Sequence, residues 1–271
     1  MSTKSLRPGS YHSLIRQRGF SLVELMISLT IGLFMLAGMA TIFSSTQISY
    51  TAQNNLTQLQ DNEILAMNIL GNVLQSTGYF PAYNTSNQLQ SQIAALPALA
   101  AGSALPATIA LQTPISFSTT PTLTLNFSAA QSLYGGSLYS SGPDAIAIRS
   151  MGAMDCTGNT TANTVIVSIF TVNQSNNYLL CSTYNQSTST QSNWQVLVTG
   201  VNSMSLLYGL DPNATGSATE YVTAANVANW SNVISVRVSI NFVNPLYNAS
   251  APLGQAATVT FSRVIGIMGM T

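Results

Sequence analysis

Gly19-Phe20-Ser21-Leu22-Val23-Glu24 is the stretch that decides the fold, and it opens an apolar run that continues to Phe43. From Leu25 to Phe43 the chain has no charged residue and no proline. Together with Phe20–Val23 this gives about 20 mostly apolar residues, enough for an α-helix to cross roughly 30 Å of hydrocarbon. The sequence therefore predicts a membrane-spanning helix near its N-terminus.

The basic residues of the chain are concentrated ahead of that run. Four of the seven basic residues lie in the first 19 positions, which contain no acidic residue, and they are Lys4, Arg7, Arg16 and Arg18. Basic residues on this side of a span place the N-terminus in the cytoplasm and the body outside. Without residues 1–19, three basic groups face seven acidic ones, so the formal charge falls from 0 to −4. The body lacks a basic patch able to release counterions from nucleic acid. Binding of DNA through a polar groove is left open by this observation, but nothing in the sequence argues for it, and no nucleic-acid partner is predicted.

Glu24 is the one charged residue inside the apolar run. A carboxylate at the centre of a membrane helix costs about 2.5–3.5 kcal/mol, and such residues usually have a partner or a function. A simpler interpretation is that Glu24 lies near the helix start and reaches the lipid headgroups.

The residues around Glu24 favour the functional interpretation. A basic leader, then Gly19, Phe20, an apolar stretch and Glu24 at this spacing, resembles the type III signal of prepilins. The resemblance implies that a membrane peptidase cuts between Gly19 and Phe20 and methylates the new N-terminal Phe20. It also implies that Glu24 meets the N-terminal amine of a neighbouring subunit during assembly, which would compensate a carboxylate buried among apolar helices.

A second processing signal competes with the first. Gly38-Met39-Ala40 has small residues at alternate positions after a hydrophobic core, so an ordinary signal peptidase could cut after Ala40. Glu24 within the hydrophobic region argues against this alternative. A mature chain that starts at Thr41 would exclude the prepilin interpretation.

The helix is predicted to continue well past the apolar run. No proline occurs between Phe20 and Phe80, and Gly78 and Pro81 supply the stop signal. A helix from Phe20 to about Thr77 would be roughly 85 Å long. Its second half carries apolar residues at helical spacing, which predicts a face packed on the sheet of the same chain. The apolar positions are Leu56, Leu59, Leu65, Met67, Leu70, Val73 and Leu74, and Asp61 and Glu63 are expected on the wetter side.

The second half of this helix also narrows the family. Leu59-Gln60-Asp61-Asn62 and the closing Gln75-Ser76-Thr77-Gly78-Tyr79-Phe80 resemble PilW-type minor pilins of type IV pili. Asp155-Cys156-Thr157-Gly158 and Val236-Arg237-Val238-Ser239-Ile240 extend the likeness downstream. The predicted organisation is a leader over 1–19, a transmembrane or filament-core helix half over 20–43, an amphipathic half over 44–80, and a β-rich head over 81–271.

The body reads as a series of strands after an irregular, Ala-, Ser-, Thr-, Gln- and Pro-rich stretch over 82–120. One long strand alternates, with Val233, Ser235, Arg237 and Ser239 on one face and Ile234, Val236, Val238 and Ile240 on the other. A helix followed by a meander predicts an α+β, type IV pilin-like fold with an antiparallel sheet on the helix and strands available for a second small sheet. The predicted strands are Thr122–Phe127, Ala145–Arg149, Thr164–Val172, Tyr178–Cys181, Gln195–Val198, Met204–Tyr208, Val233–Val243 and Ala257–Ile265.

Cys156 and Cys181 are the only cysteines. In an exported protein such a pair is usually a disulfide, and closing the loop of 25 positions would stabilise the fold by about 3 kcal/mol. Two thiols without a nearby histidine fall short of a zinc site, so no metal is predicted there.

No catalytic constellation is present in the expected mature chain. His12, the only histidine, would leave with the leader, and no phosphate loop or dinucleotide motif occurs. Asp211-Pro212-Asn213-Ala214-Thr215-Gly216 begins like a calcium loop, but the twelfth position is Val222 and Glu220 comes two residues early. A plain turn explains this stretch better, so neither an enzyme nor a cofactor is predicted.

The PilW resemblance implies a minor pilin that primes type IV pilus assembly, with its head periplasmic and its helix in the inner membrane before assembly. The implied partners are other minor pilins, the major pilin, a PilY-type tip adhesin, the prepilin peptidase and the inner-membrane assembly platform, with the pilus tip as final location. A J-type minor pseudopilin of type II secretion is the closest alternative. A membrane-anchored periplasmic hydrolase or carbohydrate-binding protein draws support only from Trp194, Trp230 and the eleven tyrosines, which are more often core or interface residues.

Overall fold

The computed structural model describes residues 19, 21–79, 127, 131–137, 142–160, 164–186, 188, 190–248 and 255–267. It contains one long helix, ten strands and two short 3₁₀ turns at Ala224–Asn226 and Trp230–Asn232 within these residues. The chain divides into two units, Met1–Thr51 and Ala52–Thr271. The helix and strands are α1 Leu22–Gln75, β1 Leu133–Ser137, β2 Asp144–Met151, β3 Val165–Asn173, β4 Tyr178–Asn185, β5 Thr190–Gln191, β6 Gln195–Thr199, β7 Val201–Leu210, β8 Glu220–Val222, β9 Val233–Val243 and β10 Thr258–Gly266.

Helix α1 runs without interruption from the apolar half into the mixed half, as predicted. Its end is marked by Gly78, whose φ of +74° suits glycine because it carries no Cβ. The residues after the helix join the sheet: the Gly78 N–H donates to the Arg149 carbonyl at 3.2 Å, and the Met151 N–H donates to the Tyr79 carbonyl at 2.8 Å. The C-terminal end of α1 is thereby attached to β2.

Two antiparallel sheets follow the helix, which confirms the predicted α+β, pilin-like fold class. The first sheet has the order β1-β2-β3-β4, and β5 and β6 both pair with β4. The second has the order β10-β9-β7-β8. Gly200, with φ of +80°, stands between β6 of the first sheet and β7 of the second. Glycine adopts this left-handed backbone conformation without the strain that a Cβ would introduce, so it suits the single residue between the two strands.

The second half of α1 and both sheets share one hydrophobic core. Its helical members occupy one face at 3.6 residues per turn, and they are Leu59, Ala66, Met67, Leu70, Val73 and Leu74. Sheet residues from both sheets pack in the same cluster, among them Ile148, Phe170, Leu206 and Val238. A second cluster lies on the other face of the first sheet and includes Phe127, Val167 and Trp194. Strands β2 and β3 are therefore buried on both faces, which explains their nearly continuous apolar sequences.

Several predicted details of the helix face are wrong. Leu65 was expected in the packed stripe but is 46% exposed, because it falls on the side of α1 turned away from Leu59, Leu70 and Val73. Leu56 is 41% exposed although it shares the side of the buried residues. Glu63, expected on the wetter side, is half-buried, whereas Asp61 is exposed as expected.

The strands agree with the predictions where apolar alternation is long. Strand β9 has the predicted bounds, Val233–Val243, and buries Val236, Val238 and Ile240. At its start the predicted faces are wrong: Val233 is fully buried and Ile234 is half-buried. The register with β7 shifts between Gly209 and Leu210, and this bulge moves the first residues of β9 to the opposite faces.

Three strands were missed: β1, β5 and β8. Two of them are very short, with two residues in β5 and three in β8, and β1 contains two glycines. Such segments have little strand propensity of their own and are ordered by their neighbours. Other predicted strands are present with ends extended or displaced by one to four residues. Of the predicted strand 122–127, Phe127 is buried and lies outside the strands; 122–126 lie outside the described residues, as does 82–120.

Candidate functional site

The N-terminal end of α1 carries the residues singled out by the sequence. The helix begins at Leu22, and the Leu25 N–H donates to the Ser21 carbonyl at 3.1 Å in the first turn. Glu24 lies in that turn and is exposed. The unpaired N–H groups of a helix start carry partial positive charge, which favours a carboxylate at this place. Phe20 lies outside the described residues, so cleavage of the bond between Gly19 and Phe20 remains a prediction.

Hydroxyl groups within the apolar half satisfy themselves on the helix backbone. Ser28 Oγ donates to the Glu24 carbonyl at 2.7 Å, Thr30 Oγ1 to the Ile27 carbonyl at 2.8 Å, and Thr41 Oγ1 to the Gly38 carbonyl at 2.8 Å. Hydrogen bonds of this kind make a polar side chain compatible with hydrocarbon. The Glu24 carboxylate has no such partner among the described residues and has no ion pair there.

The apolar side chains of this half are exposed. One helix, α1, is long and apolar enough to cross a membrane, and no residue in its most apolar window is buried. Large side chains such as Leu25, Phe34, Met39 and Phe43 are all more than half exposed. Burying one such side chain is worth about 1.5–3 kcal/mol, so this surface requires lipid or other helices around it.

Cys156 and Cys181 form a disulfide with their Cα atoms 6.2 Å apart. Cys156 lies in the loop between β2 and β3, and Cys181 lies on β4. The disulfide therefore attaches this loop to the first sheet. Asp155 organises that loop: its Oδ1 accepts hydrogen bonds from the N–H groups of Thr157, at 2.8 Å, and Asn159, at 2.9 Å. These hydrogen bonds order the loop in addition to the disulfide.

The Asp211 loop forms a closed turn. Asp211 Oδ1 accepts from the Thr215 N–H at 2.9 Å, and Oδ2 accepts from the Gly216 N–H at 2.6 Å. These bonds, the Thr215 N–H foremost, lower the pKa of Asp211 below its ordinary 3.8. Both carboxylate oxygens are thus occupied by donors of the same loop. Within the described ranges, no group of three or more His, Cys, Asp or Glu side chains could hold a metal ion.

Two cavities lie between α1 and the sheets of the head. One, of about 260 Å³, is lined by amides and apolar groups, including Asn55, Gln58 and Asn62. The other, of about 270 Å³, lies beside the disulfide between Ile69 and Leu197. Its only acidic lining residue is Asp155, which is engaged by its own loop. In the second lining the Thr157 hydroxyl donates to Asp155 Oδ1 at 2.7 Å, and the same oxygen accepts the two backbone N–H groups, so this carboxylate serves the structure of its loop.

Arg149 is a residue whose place the sequence did not reveal. It was counted among three basic groups of the body, yet its side chain is fully buried, with its guanidinium carbon 5.3 Å from the centre of the Phe127 ring. Burial lowers the pKa of Arg149 to about 10. Arg237 is exposed and stacks on Tyr221 at 4.5 Å. Arg263 is exposed and has no ion pair among the described residues.

Two family models match this chain, one in the head and one at the N-terminal segment. A family model described as "Type IV Pilus-assembly protein W" matches residues 169–261, from β3 into β10. A model described as "Prokaryotic N-terminal methylation motif" matches residues 14–40, which include Gly19, Phe20 and Glu24. No curated protein sequence matches the chain significantly.

Among solved structures, a type IV-like pilin from Thermus thermophilus is similar to this chain, with 11% sequence identity and a TM-score of 0.40. The likeness covers 79% of this chain and 97% of that one. By the methylation motif on the apolar helix and the PilW match on the head, the chain is similar to type IV pilus-assembly proteins of the PilW type.

Proposed function

We propose that this protein is a minor pilin that primes type IV pilus assembly in a tip complex with other minor pilins. The observation that carries the proposal is the place of Glu24. It is a carboxylate in the first turn of an apolar helix, without a cationic partner among the described residues.

Processing would create the missing cation. The prepilin peptidase would remove residues 1–19 by cutting between Gly19 and Phe20, and would methylate the amine of Phe20. Before assembly, the helix half over 20–43 would span the inner membrane and the head would be periplasmic. In the filament, neighbouring helices would replace lipid around the same apolar surface.

Glu24 would then select the position of the next subunit. A lone carboxylate in hydrocarbon costs about 2.5–3.5 kcal/mol, and an ammonium group brought to it offsets that cost. The amine of a neighbouring subunit is such a group, and it reaches Glu24 only when the two helices have the correct axial offset. The pair would specify helix register during assembly.

The proposed partners follow from this role. They are other minor pilins, the major pilin, a PilY-type tip adhesin and the inner-membrane assembly platform. The role is structural, in keeping with a family whose members are assembly proteins.

The test is complementation of a deletion strain with Glu24 variants, read out by counting surface pili. We expect the deletion and Glu24→Gln to lose most pili while the protein remains in the membrane fraction. Glu24→Asp, which keeps the charge, is the matched control and should retain part of the piliation. Normal pili with Glu24→Gln would contradict the proposed role of the carboxylate.

Mass spectrometry of the mature protein tests processing separately. We expect an N-terminal methylated Phe20. A chain that starts at Thr41, or one still joined across the bond between residues 19 and 20, would overturn the proposal.

A further inference from the structure

The edge strands of the two sheets differ in length and in whether other residues cover their outer side. At the edge formed by β6, the Asn62 side chain of α1 donates to the Thr199 carbonyl at 3.2 Å. Strand β1 is flanked by Trp230, whose ring centre is 5.3 Å from that of Tyr134. Strand β8 has only three residues, whereas β10 has nine and no described element pairs with its far side. Strand β10 is therefore the long open edge of the described head.

The hydrogen bonds at the two ends of β10 reveal which backbone groups face outward. Just before the strand, the Ala257 carbonyl accepts from the Asn244 N–H, and just after it the Ile267 N–H donates to the Ile234 carbonyl. Odd-numbered residues therefore bond to β9, and in an antiparallel pair the intervening residues point the other way. Thr260, Ser262 and Val264 direct their N–H and C=O groups to the open side. None of these groups has a hydrogen bond within the described residues.

The edge lacks two features that usually prevent strands from pairing there. Its register with β9 is unbroken over the whole strand, without a bulge, and it contains no proline. Proteins commonly protect an open edge by shortening it, bending it or placing proline on it. An open edge of this length without a bulge or proline is a template for an added strand.

The side chains along the edge define the chemistry of that strand. On the core-facing side lie Phe261, Arg263 and Ile265. Phe261 is half-buried, with its ring 5.8 Å from that of Phe242, and Ile265 is buried. Arg263, between two apolar neighbours, is exposed and has no carboxylate within ion-pair distance among the described residues. An added strand would place two apolar side chains beside Phe261 and Ile265, and the residue between them would lie opposite Arg263.

We propose that the open edge of β10 binds an extended segment of another polypeptide, with an acidic residue opposite Arg263 and apolar residues on either side of it. A charge on the core-facing side of an edge strand discourages neutral strands, so Arg263 would act as a selector for the acidic one. A second copy of β10 fits less well, because antiparallel pairing centred on Ser262 or Arg263 brings the two arginines into diagonal or direct opposition. The inference goes beyond the pilus role and does not depend on it.

The test is a selection of nine-residue peptides from a display library on the full-length protein in detergent micelles, with the Ser262→Pro variant as the counter-selected target. Proline at 262 removes an outward N–H and leaves the bonds to β9 in place, so the strand should survive. Ser262→Ala keeps the N–H and is the matched control for loss of the hydroxyl. Val264→Pro is a second blocking variant if Ser262→Pro fails to fold.

We expect the selected peptides to alternate β-branched residues and to share one Asp or Glu. For the best peptide, measured by fluorescence anisotropy, Ser262→Pro should weaken binding about tenfold or more, since hydrogen bonds along the edge are lost. Ser262→Ala should bind like the wild type, and Arg263→Gln should lose the preference for the acidic peptide over its glutamine counterpart. Enrichment without an acidic residue, equal binding to Ser262→Pro, or self-association of the wild type that Ser262→Pro abolishes would each overturn the inference.

Discussion

The carboxylate of Asp144, at the start of β2 in the first sheet, accepts a hydrogen bond of 2.7 Å from the backbone N–H of Leu206 in β7 of the second. The two residues are 62 positions apart in the chain. The bond links the two sheets directly, next to a core that both of them share. Burial raises the pKa of Asp144 above its ordinary 3.8, against the opposing effect of the Leu206 N–H.

This raised pKa makes the stability of the head depend on pH in a defined direction. Because the folded state holds the proton more tightly than the unfolded state, the contribution of Asp144 is largest below pH 3.8 and declines as pH rises through the raised pKa. Asp144→Asn keeps an acceptor for Leu206 but does not ionise. We expect its free energy of unfolding, relative to the wild type, to increase between pH 3 and pH 7, as measured by guanidinium titration with tryptophan fluorescence.

Asp144→Ala is the matched variant, because it removes the acceptor. It should lower the free energy of unfolding by about 1–3 kcal/mol at neutral pH, since the Leu206 N–H is left without its partner. A difference between Asp144→Asn and the wild type that stays constant across the pH range would contradict the assignment.

The Asp211 turn predicts the opposite pH dependence. Donors of its own loop, first the Thr215 N–H, lower the pKa of Asp211 below 3.8. Its contribution is therefore present above pH 3.8 and is lost as pH falls through the lowered pKa. Asp211→Asn should be less stable than the wild type at neutral pH, with the difference shrinking below about pH 4. A deficit that persists unchanged at pH 2.5 would show that the ionised carboxylate is not its cause.

Gly135 is required by the packing of the aromatic cluster that joins the sheets. A Cβ at this position would overlap the Tyr208 hydroxyl and ring, and the Tyr208 ring is held edge-on by Trp230 at 4.9 Å. We expect Gly135→Ala to reduce the free energy of unfolding by about 1–3 kcal/mol through overpacking.

Gly71 provides the control for the Gly135 prediction. It lies inside α1, and a Cβ there would meet nothing within 4 Å. Gly71→Ala should therefore stabilise the protein by up to about 1 kcal/mol, from helix propensity alone. Equal effects of the two alanine substitutions in the same denaturation assay would refute the steric explanation.

The disulfide predicts a dependence on redox state. Replacing both Cys156 and Cys181 with serine should lower the free energy of unfolding by about 3 kcal/mol, as expected for a closed loop of this length. Reductant should destabilise the wild type by a similar amount and leave the double variant unchanged. Thiol labelling of the unfolded, unreduced protein should detect no free cysteine, and two labelled cysteines would contradict the bond.

Helix α1 and the long strand β9 could be predicted from the sequence because each is encoded by a local periodic pattern. The predicted helix, Phe20 to about Thr77, differs by two residues at each end from Leu22–Gln75, and β9 has its predicted bounds. Strand β1 could not be predicted, since its Leu-Tyr-Gly-Gly-Ser sequence has little strand propensity. It exists because β2 offers it a complete set of hydrogen-bond partners, and its Gly135 leaves room for Tyr208.

The features of the candidate site also divide into those that consecutive residues encode and those that depend on the fold. Gly19, Phe20 and Glu24 lie within six consecutive residues, so the processing and assembly roles predicted for them follow from the sequence without coordinates. The burial of Arg149 over Phe127, the link from Asp144 to Leu206 and the open edge of β10 join residues from different elements or depend on which strands are neighbours.

By itself, the sequence determined a basic N-terminal stretch, an apolar helix with one carboxylate, and a pair of cysteines, and from these it predicted a cleaved leader and an exported head. These are properties of consecutive residues, and hydrocarbon, helix periodicity and proteolytic processing act on consecutive residues. Only the tertiary structure decided that the strands divide into two sheets, that a basic side chain is withdrawn from solvent, and that the last strand lies at an edge. Those outcomes depend on free energies of packing and pairing between distant segments, which no local pattern encodes.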